Sequence, residues 1–98
     1  MITEQTLFPA REGKDFVFLG YRMHLTPTEY RVLHYLWEMQ GSAVKVRELC
    51  ARCYGEDGAN AINVSVRVNG INQKAIRIGG RRLLHHLRGR GYTFCDDV

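Results

Sequence analysis

Ninety-eight residues supply one hydrophobic core and no more, and 45% hydrophobic with 24% charged residues is an ordinary globular composition. No apolar run approaches the ~20 residues of a membrane span, no signal-peptide pattern follows Met1, and three cysteines, an odd number, fit reduced thiols in a cytoplasm rather than a disulfide framework. The net charge of +4 is unevenly spread: residues 1–42 hold four Lys/Arg against five Asp/Glu, and residues 43–98 hold ten against five.

In chain order, Thr6-Leu7-Phe8, Phe16-Val17-Phe18-Leu19 and Arg22-Met23-His24-Leu25 are short β-type runs, which predicts a small antiparallel sheet over 5–25. Thr26-Pro27-Thr28-Glu29 then joins an N-cap hydroxyl, a proline at the first helical position and a glutamate at N3, a capping box. The helix it opens carries Tyr30, Val32, Leu33, Leu36 and Trp37 at core spacing, and Gly41 is expected to end it as a left-handed C′ residue. Ala43-Val44 suggests a very short strand, and a second helix is expected from about Val46 to Cys53, stopped by Gly55, with Leu49, Cys50 and Cys53 facing inward. Tyr54 to Ala59 suits an exposed loop.

A third helix is predicted over about 60–78, with Asn60 as its cap, Val64, Val68, Ile71 and Ala75 as its apolar stripe and Gly79-Gly80 as its end. Its β-branched residues also suit a strand, but strict alternation breaks at Asn69 and Gly70. Leu83 to Arg88, Gly89-Arg90-Gly91 and Tyr92-Thr93-Phe94 read as a hairpin over 83–95. One α+β domain over 1–98 follows: an antiparallel sheet, a helical core over 26–79, and a hairpin wing, the order of a winged helix-turn-helix.

From Arg67 to Arg90 there are seven basic residues and no acid, where a solvated face normally mixes signs. Away from its apolar stripe the third helix presents Asn63, Arg67, Asn69, Gly70, Asn72, Gln73, Lys74 and Arg77. Amides bond adenine and arginine bonds guanine bidentately, and a ~12 Å major groove admits one helix. The expected partner is therefore double-stranded DNA.

These residues resemble the DNA-binding effector domain of the OmpR/PhoB family of bacterial response regulators, from about Phe8 to Phe94. The resemblance rests on Leu25-Thr26-Pro27-Thr28-Glu29-Tyr30 with Leu33 and Leu36, and on Gly41, Val44, Arg47-Glu48-Leu49 and Tyr54-Gly55. Val64, Val66, Val68 and Ile71 extend it, and Leu87-Arg88-Gly89-Arg90-Gly91-Tyr92 is its most specific piece. It implies base contacts at Asn63, Arg67, Asn69, Gly70, Asn72 and Gln73, and a wing arginine at Arg88 in the minor groove or along phosphates. It also implies head-to-tail pairing on repeated half-sites, and a contact to RNA polymerase through loop 54–59. Gly70 stands where the family often has arginine, so a base contact is missing there or the backbone comes closer to DNA. Lys45 replaces the usual Ser or Thr cap of the second helix. The family joins such a module to a phospho-acceptor receiver domain, for which these residues hold no sequence; either the module is part of a longer protein or it works without phosphorylation.

Three other readings compete. Cys50 and Cys53, with Cys95 or the His85/His86 pair, have zinc-like spacing, but the two cysteines fall on a helix's inner face and are expected to be buried thiols. His85 and His86, neighbours on a strand, point to opposite faces, so one is expected toward DNA and the other inward; with Arg88 and Arg90, His86 is placed on the DNA side. No catalytic grouping emerges, so neither an enzyme nor a cofactor is expected. The remaining alternative is a winged helix that binds protein or RNA with the same surface.

Overall fold

Alternating apolar residues near the N-terminus form three short strands, β1 (Leu7–Pro9), β2 (Phe16–Phe18) and β3 (Tyr21–Met23), paired antiparallel in that order. The structure, a computed structural model, describes residues 7–54 and 61–94. Leu7 lies opposite Phe18 and Phe16 opposite Met23, and this register turns all four side chains into the core. Leu19 and Gly20 join β2 to β3 with φ of 53° and 85°, the paired left-handed geometry that follows strand twist in a tight hairpin. A leucine there is strained. Its side chain reaches the end of the third helix, where a Cβ on Gly79 would lie 2.6 Å from Leu19 Cδ1 and 2.7 Å from the Phe18 ring.

The capping box forms as the sequence predicts and starts α1 (Pro27–Glu38). Glu29 donates its backbone N–H to Thr26 Oγ1 at 3.2 Å, and Thr26 donates its own to Glu29 Oε1 at 3.0 Å. Val32, Leu33 and Leu36 are fully buried, and Trp37 donates its indole N–H to the Leu7 carbonyl at 3.1 Å, tying α1 to β1. The helix ends one residue earlier than expected relative to Gly41. Met39 is the C-cap, so Gly41, at φ 89°, lies beyond C′, in a turn closed by the Ser42 N–H on the Met39 carbonyl.

Asp15 organises the approach to α1: its carboxylate accepts the Leu25 N–H at 3.0 Å and faces Arg22 and His24, each at 3.2 Å. Burial alone would raise its pKa, but these partners together hold it below the usual aspartate range.

The expected strand at Ala43-Val44 is a single bridge, in which Val44 and Tyr92 exchange both backbone hydrogen bonds at 2.7 and 2.8 Å. Lys45 gives no side-chain cap, as anticipated, and α2 (Val46–Leu49) widens at once into a π-helical turn over Cys50–Tyr54. The expected stop at Gly55, the cap at Asn60 and Cys95 lie outside the described residues. Leu49 and Cys53 are buried and Cys50 half-buried; desolvation pushes the Cys53 thiol up to about 11, as for a buried thiol. Among the described residues no three His, Cys, Asp or Glu side chains come together as metal ligands.

The long α3 (Ala61–Gly79) buries Val64, Val68, Ile71 and Ala75, the predicted stripe, against α1 and the sheet. It stops at Gly80, at φ 75°, whose N–H bonds the Ile76 carbonyl. The wing then forms from β4 (Leu84–Leu87) and β5 (Gly91–Phe94), joined by residues 88–90, with Leu87 opposite Gly91. Leu83, Leu84, Tyr92 and Phe94 join the sheet and helices in one core.

Candidate nucleic-acid interface

With 3.6 residues per turn, positions four and three apart share a helix face. Burying Val64, Val68, Ile71 and Ala75 therefore turns Ile62, Val66, Asn69, Gln73 and Arg77 outward, and all five are exposed. Asn63 and Arg67, on an adjoining flank, are exposed as well.

Three of the expected contact residues serve the fold instead. Asn72, expected to read a base, is only 7% exposed. Its side-chain oxygen accepts the backbone N–H groups of Leu83 and Leu84 at 3.0 and 2.9 Å, and its amide nitrogen donates to the Leu84 carbonyl at 2.9 Å. The residue splices α3 to the root of β4, because the chain entering a two-stranded sheet has backbone groups that need partners inside the protein. Lys74 turns inward to Glu29, with Nζ 2.5 Å from Oε1. Gly70 faces the same carboxylate: a Cβ there would lie 2.5 Å from Glu29 Oε2. The missing side chain makes room for α1's capping glutamate, not for closer approach to DNA.

Gly70→Ala should consequently lose stability, although alanine is favoured by ~1 kcal/mol in a helix interior. The carboxylate in its way is held by the Thr26 N–H and Lys74, so moving it weakens the cap or the ion pair. A thermal melt checks the sign, and a raised Tm would contradict it.

Arg88 and Arg90 are exposed at the hairpin tip, and His86 is exposed while its ring stacks on Tyr92 at 4.8 Å. The expected split of the two histidines, one outward and one packed inward, is not seen. His85 is half-buried, and both rings line a cleft of about 380 Å³ between helix and wing, together with Ser65, Asn69 and Arg82. This cleft joins helix and hairpin into one surface. A second cleft of about 310 Å³ sets Lys45 beside His86 and Arg90. Arg81 is different: its guanidinium lies 5.7 Å from the Phe18 ring centroid.

Sequence reasoning left Lys45, Ser65 and Arg82 out of the site. Arg82 carried a signal, as part of the acid-free stretch, whereas Lys45 is brought to the wing only by the Val44–Tyr92 bridge. The polymerase-contact loop expected at 54–59 falls outside the described residues except for Tyr54.

The family model described as "Transcriptional regulatory protein, C terminal" matches residues 20–94. No curated protein matches the chain in sequence. Among solved structures, the response regulator AdeR DNA-binding domain, in complex with an intercistronic region, superposes with a TM-score of 0.83 at 20% identity, over 98% of this chain and 100% of that one. The DNA-binding domain of CpxR from E. coli gives 0.76 at 23% identity, over 95% of this chain and 93% of that one. A protein from a study of streptococcal redox sensors evolved from two-component response regulators gives 0.79 at 22% identity, over 97% of this chain. This chain spans 42% of that longer one.

Proposed function

The chain belongs to the family of transcriptional regulatory protein C-terminal domains, of the OmpR/PhoB effector type, and from that premise we propose that it binds double-stranded DNA sequence-specifically to control transcription. In this reading α3 enters the major groove, where Asn69 and Gln73 bond base edges and Arg67 and Arg77 bond bases or phosphates. The wing lies along the neighbouring backbone, with Arg88 at the minor groove, where narrowing concentrates negative potential. Arg82, Arg90, His86 and Lys45 face the phosphates between. Asn63 keeps its place at the start of the helix as a base or phosphate contact.

The observation that carries the reading is the shared cleft, which makes the exposed amides of α3 and the cationic hairpin one continuous face. The most exposed aromatic residues, Phe8 and Tyr21, lie on the N-terminal sheet instead. A surface without stacking rings suits a duplex better than unpaired RNA. We extend the reading to cytoplasmic action, to head-to-tail pairing on repeated half-sites and to loop 54–59 as a polymerase contact. Outside this module the protein's own signal and targets follow from whatever it is joined to.

Binding measured at several salt concentrations tests the division of labour. Arg88→Ala and Arg90→Ala should weaken binding to every duplex and flatten the log–log salt slope by about one unit per lost phosphate contact. Asn69→Ala and Gln73→Ala should instead change base preference, by ~1–3 kcal/mol per bidentate contact. Indistinguishable behaviour of the two pairs, or equal affinity for RNA, would overturn the assignment.

A further inference from the structure

The outward face of α3 carries two side chains that neither the fold nor the charge argument accounts for. Ile62 is 72% exposed and Val66 54%, while Val64, Val68 and Ile71 of the same helix are buried. Single exposed hydrophobics are unremarkable. These two stand four residues apart, one turn above the other, and continue the line of Asn69 and Gln73. Both are β-branched, a class that lowers helix propensity, so they do not serve the helix by itself. Two side chains are also far short of the ~800 Å² per partner of a stable protein interface.

We propose that Ile62 and Val66 are specificity-determining residues that seat thymine C5-methyl groups, making the half-site A·T-rich where the first turns of α3 enter the major groove. The inference rests on the DNA-binding reading above. The thymine methyl is the apolar feature that the bases present in the major groove, and an A·T pair sets it beside adenine N6 and N7, which an amide bonds bidentately. An apolar pair followed by an amide pair on one helix face is thus matched to A·T pairs at both ends. Four residues of helix rise about 6 Å, close to two base-pair steps of about 3.4 Å. The two methyls therefore come from adjacent or next-adjacent pairs.

The test starts from duplexes that the protein selects from random sequence, in which thymines are replaced one at a time by deoxyuridine. That change keeps the pairing and removes only the methyl. Wild-type affinity should fall about fourfold at one or two thymines, the equivalent of about 0.8 kcal/mol per buried methyl. The I62A/V66A double variant should bind the thymine duplex more weakly but lose this sensitivity, with its salt slope unchanged because no charge was removed. Since both side chains are exposed and alanine is the better helix former, its melting temperature should not fall. Equal response of wild type and variant to deoxyuridine overturns the proposal, as does a selected half-site without A·T pairs facing these turns. A variant that changes oligomeric state but keeps methyl sensitivity also overturns it, by assigning the face to a protein partner. Failure to select any duplex would sink the DNA-binding reading itself, a result distinct from selection with indifference to the methyl.

Discussion

Gly91→Ala should unseat the wing. The glycine has φ of 109°, and a Cβ there would lie 2.0 Å from the Val44 carbonyl oxygen, 2.6 Å from its carbon and 2.7 Å from Lys45 Cα. All three are backbone atoms, which cannot rotate aside as a side-chain tip can. The substitution adds backbone strain of ~1–3 kcal/mol to the loss of the Val44–Tyr92 bridge, so a total near 4 kcal/mol is expected in urea denaturation. That is a large share of the ~5–15 kcal/mol that stabilises a typical domain. DNA affinity should fall with it, because Arg88, Arg90 and Lys45 lose their common frame. Gly89→Ala is the control: its φ is 76° but nothing stands within 4 Å, so only the conformational cost remains. Similar stability of the two variants would show that the contact with Val44 is not what holds the hairpin.

Asn72→Ala should cost stability without altering base preference. Its amide satisfies the Leu83 and Leu84 N–H groups and the Leu84 carbonyl inside the protein. Removing it leaves two donors and an acceptor unmatched, at ~1–3 kcal/mol for each group that water does not reach, so about 3 kcal/mol is expected. Denaturation measures the loss, and duplex selection at low temperature, where the variant is folded, reads the preference. A stable variant with a changed preference would return Asn72 to the DNA-reading face.

The elements were legible where a local signal and a periodic one coincide. Thr26-Pro27-Thr28-Glu29 marks the start of α1 beside a run of apolar residues at helical spacing, and both signals need only neighbours in sequence. The stripe from Val64 to Ala75 and the glycines of the hairpin are local in the same sense. Partnership across the fold was not legible. Lys74 and Gly70 look like members of a polar helix face until Glu29, distant in the chain, is set against them. Asn72 has the residue type of a base reader and the position of a splice, and only the strand lying across it decides between the two. Ile62 and Val66 mislead in the opposite direction, since β-branched residues in a helix suggest a core that they do not enter. The widening of α2 into a π turn has no evident sequence mark.

Glu29 ties two parts of the molecule to one carboxylate: it completes the first turn of α1 and receives Lys74 from α3. The tilt of the groove-facing helix is accordingly set at the entrance to a different helix. A bulkier residue at 70 fits only beside a shorter acid at 29, and a shorter acid no longer spans to 74. Across evolution, then, these three positions form a single heritable unit, to be exchanged together or left alone.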